Sequence, residues 1–449
     1  MSPTSRLVLP VEIYDEIIYF ITSTKDLLNV ALTCRQLCAL IIPDHIDYRV
    51  VVCSTFDSFV WEHFLNNPRL AKRMHSIKLD DIKFHGTETG ERRIIPRELQ
   101  LRSMRQDDAE LKGGWQLKAL AFTKSILIMK DLYSFDHMGP YSAFLLFAYL
   151  SHCATGLRIF NRTNILSMIN NLLENNHSLK SVTLFLWDNH FEFIPLPRFL
   201  LDANWSKIHT LALGGDFTVF EDDIDFQLRI SQTQSFFSKH ASLEKVRFRH
   251  LRNIPIYPGT IQPDMLPKLH TLDLDFEMVY PLSELIPENV LIRLVNLSAN
   301  LSNVPDSFIT SGHLKNIRRL YTKITSYDRI PLLLEAIPNI ERLHVDFSTD
   351  RQDGDLGGID IDIDFTKHSK YLTHLSLLFP SRAEVSAPEK YALELDKLEF
   401  IHFSSFTTAF NPWFQVIRSP SGTTSLERHR EESDEWAQHL WMGFDSSFD

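Results

Sequence analysis

Cysteine is scarce in this chain: four in 449 residues, Cys34, Cys38, Cys53 and Cys153. None stands in a C-x-x-C pair or at a metal-ligand spacing, so the sequence encodes neither a disulfide framework nor a zinc site. A reducing compartment, cytoplasm and/or nucleus, is the expectation. Basic charge is also short, with 46 Lys and Arg against 57 Asp and Glu and a formal net charge of -11. That excludes a chain-wide attraction to nucleic acid or anionic membrane. Long apolar runs are missing too. The best candidate, Met138 to Leu157, is unbroken only from Ala143 to Leu150, whereas a membrane span needs about 20 apolar residues; a buried helix is expected there. The first apolar stretch is interrupted by Glu12, Asp15 and Glu16, and no small-residue cleavage site follows, so no signal peptide is expected. No G-x-S-x-G, H-E-x-x-H, P-loop or G-x-G-x-x-G occurs, and no enzyme is expected.

What is present is a globular composition, 44% hydrophobic and 23% charged, with 21 Pro and only 15 Gly. One apolar pattern recurs along it: an apolar residue, two variable positions, a second apolar residue, one variable position and a third. It is carried by Leu179, Val182 and Leu184; by Ile208, Leu211 and Leu213; by Leu243, Val246 and Phe248; and by Leu269, Leu272 and Leu274. Further copies are Ile340, Leu343 and Val345; Leu372, Leu375 and Leu377; and Leu398, Ile401 and Phe403. Weaker copies surround Ile77, Leu294 and Leu320. The last two apolar positions are at i and i+2, the strand period, and put one side chain set inward and the other outward. Helical patterns lie between copies, as in Ile165 to Asn176 and "SQTQSFFSKH". Each unit cannot bury its own apolar face, so neighbours must stack.

The copies from about Tyr48 to Phe403 resemble a leucine-rich-repeat solenoid, although the Asn or Cys of the plant and bacterial consensus is mostly missing. The resemblance implies a curved parallel sheet with helices on the convex side. The N-terminal segment points to a partner. Ile13, Ile17, Phe20 and Ile21 form one helix stripe after Pro10. Ser23 to Asp26 reads as a new helix start, with Leu27, Ala31, Cys34, Cys38 and Ile41 along a stripe ended by Pro43. Two helices in about 35 residues cannot bury that much apolar surface on their own. The order "LPVEIYDEIIYFI…DLLNVALTCRQLCALIIP" resembles the F-box, departing from the animal pattern at Gln36 and Leu37, where a Trp is often found. An F-box followed by leucine-rich repeats is similar to the large fungal F-box families.

The resemblance implies an α/β fold with a small all-α F-box at 1–47 and an irregular leucine-rich-repeat solenoid at 48–418, interrupted by an insertion at about 86–117. A linker and an acidic cap or tail would occupy 419–449, with Trp436, Leu440 and Trp441 on one helix face. It further implies the substrate-recognition subunit of a Skp–cullin–F-box type ubiquitin ligase. A Skp-family adaptor would contact Leu9, Pro10, Ile13, Ile17, Leu27, Leu28 and Ala31, and the repeats would hold a target protein. The alternative is a non-degradative protein-binding scaffold. In such repeats the variable strand positions face the concave side. Here Lys245, Arg247, Arg249, Arg293, Arg319, Tyr321, Lys323, Arg342 and His344 fall there, an excess of cations suited to an acidic or phosphorylated target. No cofactor is expected. Asp353, Asp355, Gly358 and Asp364 match part of a calcium-loop spacing, but Ile359 is one place early and a strand pattern precedes it, so a wet loop-strand is the reading.

Overall fold

The computed structural model describes residues 9–21, 23–53, 57–80, 94–96, 99, 125, 129, 134–140, 179–187, 194–195, 205, 207–215, 217–218, 226–249, 257–274, 280–347, 365, 370–379, 388–405, 413–419 and 423–429. The fold is mixed α/β, built on mostly parallel sheet. The chain divides into two compact units, one comprising residues 1–191, 202–208 and 446–449, the other 192–201 and 209–445. The division lies inside the repeat stretch.

The first unit opens with α1 (Val11–Phe20), α2 (Thr24–Ala31) and α3 (Arg35–Ile41). Ser23 caps α2, its hydroxyl accepting from the Asp26 amide at 3.2 Å. The second predicted helix is in fact two. The chain breaks at Leu32 to Cys34, and Cys34 becomes the N-cap of α3, its Sγ accepting from the Leu37 amide at 3.5 Å. Pro43 does not stop the helix either. It lies in a π-helical segment, Ile42–Ile46, that follows α3 directly. That segment runs into α4 (Asp47–Arg49) and then β1 (Val50–Cys53). Next come α5 (Ser58–Asn66), α6 (Pro68–Ala71), β2 (Ser76–Asp80), β3 (Ser134–Pro140) and β4 (Ser181–Trp187). The four strands pair in parallel and in chain order. Residues 138–140, at the head of the longest apolar run, are strand; the rest of that run lies outside the described residues. Among the described residues no helix is long and apolar enough to cross a membrane.

The second unit contains β5 (Ile194–Pro195), β6 (Thr210–Gly215), β7 (Phe217–Thr218), α7 (Phe226–Lys239), β8 (Lys245–Arg249) and β9 (Thr271–Leu274). These are followed by α8 (Leu282–Leu285), α9 (Glu288–Leu291), β10 (Asn296–Asn300), α10 (Asp306–Thr310), β11 (Arg319–Lys323), α11 (Arg329–Ala336) and β12 (Arg342–Asp346). Then come β13 (His374–Phe379), α12 (Pro388–Glu394), β14 (Phe400–Ser405), β15 (Trp413–Arg418) and β16 (Thr424–His429). Strands β6 and β8 to β14 run parallel, while β5 and β7 form a small separate pair.

One backbone contact sets the register of the parallel ladder. The carbonyl of the residue just before a strand accepts from two consecutive amides of the next strand's start. His209, Glu244, His270, Val295, Arg318, Glu341 and Thr373 all do this, at 2.7 to 3.2 Å. Identical registers then line up like side chains. Val246, Leu272, Leu297, Leu320, Leu343, Leu375 and Ile401 form one buried row. The leading apolar residues Leu243, Leu269, Leu294, Ile317, Ile340, Leu372 and Leu398 form another. Each such side chain removed from water contributes about 2 kcal/mol.

The sheet ends on a hairpin. β14, β15 and β16 pair antiparallel, and Arg418 on β15 donates to the carbonyls of Leu398, Ala392 and Leu395, the last turn of the last repeat. Within the linker and acidic cap or tail expected at 419–449, residues Thr424–His429 are strand β16, which pairs the otherwise open edge of β15. The tail helix around Trp436, the insertion at 86–117 apart from a few positions, and the Asp-rich loop before Phe365 lie outside the described residues.

Truncating the middle of a row should cost far more than truncating an exposed leucine of the same unit. Leu343→Ala is expected to lose about 3 kcal/mol, and Leu393→Ala, whose side chain is 68% exposed, under about 0.5 kcal/mol. Equal chemical-denaturation midpoints for the two variants would contradict the row.

Candidate functional site

Two arrangements carry the residues singled out above, one in each unit. In the first, α1 to α3 and the π segment share a core of Ile18, Leu27, Ala31 and Ile41, against which Tyr14, Ile21, Val30, Leu37, Leu40, Ile42 and Ile46 pack. That core uses one side of α1. The other side, Ile13, Ile17 and Phe20, faces water, with Phe20 71% exposed. On α2, Leu28 and Leu32 form a second outward stripe at i and i+4, and Leu9 and Pro10 lead into α1 exposed. Scattered exposed leucines need no explanation, but two apolar helix stripes on one small bundle do.

Of the seven residues expected at an adaptor contact, Leu9, Pro10, Ile13, Ile17 and Leu28 are exposed. Leu27 and Ala31 are a correction. Both are fully covered by the neighbouring helices, because their i, i+4 stripe is the one α2 turns toward Ile18 and Ile41. Leu32 takes their place on the outward face, a position the stripe through Leu27 does not mark.

A polar clamp missed in the sequence fixes α1. Asp15, on the side of α1 away from its exposed stripe, accepts from His45 Nε2 at 2.7 Å and from Arg73 Nη2 at 2.8 Å to each oxygen, with Arg69 at 3.5 Å. Burial pushes the Asp15 carboxyl up, but the His45 hydrogen bond and the Arg73 charge outweigh it and hold it below the ordinary carboxylate range. Arg49 adds donors to the carbonyls of Tyr19 and Ile21 at the end of α1. A signal existed: Arg69 and Arg73 are four apart across a short helix. Their partner, 54 and 58 residues earlier, has no local mark. Asp15→Ala should take this carboxylate from the buried Arg73 and His45 and cost about 3 kcal/mol, measured by denaturation. A loss under about 1 kcal/mol would show the clamp to be solvated and weak.

In the second unit the face opposite the leucine row is polar and also ordered by register. Its first row reads Lys245, Thr271, Asn296, Arg319, Arg342, His374, Phe400; its second, Arg247, Asp273, Ser298, Tyr321, His344, Ser376, His402. The second row is buried throughout. Arg247 Nε lies 2.9 Å from Asp273, which is wholly covered. The rings of Tyr321 and His344 stack at 3.9 Å and 4°, and Ser376 Oγ lies 2.9 Å from His402 Nδ1.

The positions expected to form a cationic face are therefore divided between buried and half-buried places. Arg247, Tyr321 and His344 are committed to buried internal contacts. Arg293 is off the strand altogether: β10 begins at Asn296, so Arg293 precedes Leu294, the leading apolar residue, and Asn296, Ser298 and Asn300 occupy the face instead. At this repeat the expected alignment is one apolar position out of step. Lys245, Arg319, Lys323 and Arg342 remain at the half-buried positions of the face, while the Arg249 side chain lies outside the described residues.

Two histidines of this face are held neutral. Burial, then the charges of Arg342 and Arg319, lower His374 to about 3; burial lowers His402 to about 4. Among the described residues no group of three or more His, Cys, Asp and Glu side chains is placed to hold a metal ion. No protein-family model matches the chain, and no curated protein matches it.

Because both folded-state values lie below the unfolded histidine value of about 6.5, the unfolded chain takes up the protons first. The stability these neutral rings contribute is full above about pH 7 and is lost progressively as pH falls from about 6.5 toward the folded values. By about pH 5 each histidine should cost the second unit about 2 kcal/mol. Replacing both with Gln should flatten the change in denaturation midpoint between about pH 7 and pH 5. An unchanged slope would mean that His374 and His402 protonate freely in the folded chain.

Proposed function

We propose that the chain is a substrate-recognition subunit of a Skp–cullin–F-box type ubiquitin ligase, acting in the cytoplasm or nucleus. The N-terminal helices would dock on a Skp-family adaptor, and the repeats, as a leucine-rich-repeat solenoid, would hold a protein target. The observation that carries this reading is the outward apolar face of α1 and α2. Leu9, Ile13, Ile17, Phe20, Leu28 and Leu32 are left exposed while the opposite sides of the same helices are fully packed. A bundle this small that leaves so many apolar residues to solvent is built to be covered by another chain. The F-box order of "LP-x-E-I", "DLL" and "TCR" supports the choice of partner.

The parallel registers support the second half of the reading. Successive strands recur 23 residues apart across β10, β11 and β12, within the leucine-rich-repeat period. The role proposed is recognition; ubiquitin transfer belongs to the other subunits of the assembly.

The test compares the purified chain with a variant carrying Leu9→Ala, Pro10→Ala and Ile13→Asp, titrated with a Skp-family adaptor by calorimetry. A centrally buried contact of this kind costs at least about 2 kcal/mol, roughly 30-fold in affinity. The three positions are exposed, so the melting temperature should hold. Absence of binding by the unaltered chain, or equal affinity of the chain and the variant, would overturn the proposal.

A further inference from the structure

We propose that the outer edge of β16 is a self-association surface: two copies of this chain pair through it, antiparallel, about a two-fold axis at Leu426. The inference stands apart from the ligase reading, since it uses neither the N-terminal helices nor the polar face of the repeats.

The direction of the backbone groups carries it. In an antiparallel pair each residue turns its N–H and C=O toward one neighbour, and successive residues alternate. The Val416 amide donates to the carbonyl of Glu399, just before β14, at 2.8 Å. Gln415 and Ile417 therefore turn toward β16, where their register partners are Glu427 and Ser425. The Ser419 amide, donating to the Thr423 carbonyl at 2.9 Å, continues that alternation. Thr424, Leu426 and Arg428 are left turned the other way. β16 ends the strand order, and among the described residues no hydrogen bond reaches those outer groups. Nothing in the strand blocks pairing either: Thr424–His429 contains no proline, and its register with β15 runs without a bulge. Ser425, Glu427 and Arg428 are exposed, and Thr424 and Leu426 half-buried.

A second copy is the occupant because the edge is complementary to itself. Only a register that sets outward residues opposite outward residues forms bonds. Centring on Leu426 uses all of them. Thr424 then faces Arg428 of the second copy, Leu426 faces its own counterpart, and Arg428 faces Thr424, with about six hydrogen bonds in all. Leu426 already stands opposite the buried Val416, so the apolar row would cross the axis into the second copy. On the other face the Ser425 hydroxyl stands opposite the Glu427 carboxylate, to which it can donate. No like charges stand directly opposite. Sliding the strands either sets Glu427 opposite Glu427 or carries Arg428 past the end of its partner strand.

A head-to-tail chain of copies through β1 is blocked. Val52 on that strand exchanges both its bonds with Ile94, at 2.8 and 3.0 Å. Pairing of β16 with its own counterpart closes a dimer instead.

An interface of this size falls below about 1,200 Å² and is weak, so the full chain is sedimented from about 1 to about 100 µM. A concentration-dependent equilibrium between one copy and two is expected. Leu426→Pro removes an outward N–H and no bond to β15, and should weaken dimerisation at least about tenfold. If that variant melts early, Leu426→Lys keeps the backbone donor, sets like charges opposite each other on the axis and should show the same loss. Ile13→Asp, in the N-terminal apolar face, should leave the dimer unchanged. The register has its own readout. Leu426→Cys, oxidised with glutathione disulfide, should link the two copies through position 426, where the Cα atoms would lie about 5.5 Å apart. Thr424→Cys, with about 14 Å between copies, should not. A single copy at every concentration, or dimerisation unchanged in both Leu426 substitutions, overturns the proposal. So does a Thr424→Cys chain that links as readily as Leu426→Cys. Association lost in Ile13→Asp and kept in Leu426→Pro would belong to the N-terminal apolar face and overturn the edge assignment.

Discussion

Everything in the second unit depends on one repeated hydrogen-bonding arrangement, the carbonyl before each strand accepting two amides from the start of the next. It leaves no freedom of register. A slip by one residue would carry every leucine of the buried row to the polar face and every arginine to the core. Because that arrangement recurs in seven carbonyls, side chains far apart in sequence are brought into straight rows. The apolar row supplies the burial that stabilises the unit, and the polar rows inherit their order from it.

That inheritance explains why the polar face is not uniform. Its second row sits over the strand centres and is closed off, so its members meet one another: Arg247 with Asp273, Tyr321 with His344, Ser376 with His402. A charge buried there without such a partner would cost several kcal/mol. The first row lies at the strand starts: Thr271 and Asn296 are buried there and bond to each other, while Lys245, Arg319, Arg342, His374 and Phe400 are half-buried. Arg319 and Arg342 stand side by side there, a juxtaposition set by the apolar rows beneath them.

The first unit shows the same division between covered and uncovered sides on a smaller scale. Asp15, with His45 and Arg73, fixes the polar flank of α1, and Ile18 with Leu27, Ala31 and Ile41 fixes its inner flank. The stripe of Ile13, Ile17 and Phe20 is the side left exposed. A helix held on two sides presents its third with little entropy left to lose on docking.

Much of this was legible beforehand, and for a local reason. The i, i+3, i+5 apolar spacing is dictated by backbone geometry. The strands at Val182, Leu211, Val246, Leu272, Leu343, Leu375 and Ile401 could therefore be read from sequence, as could the helix cap at Ser23. The same periodicity could not separate α2 from α3, since Cys34 continues the stripe while acting as a cap. Nor could it place Arg293, where a run of apolar residues allowed two alignments. What only the tertiary structure decided is which residues meet. Whether Leu27 or Leu32 faces water depends on how three helices pack. Whether Arg247 faces a target or Asp273 depends on a residue 26 positions on, and the grip of Arg73 on Asp15 spans 58. Periodicity records the side on which a residue stands; it carries no record of what stands opposite.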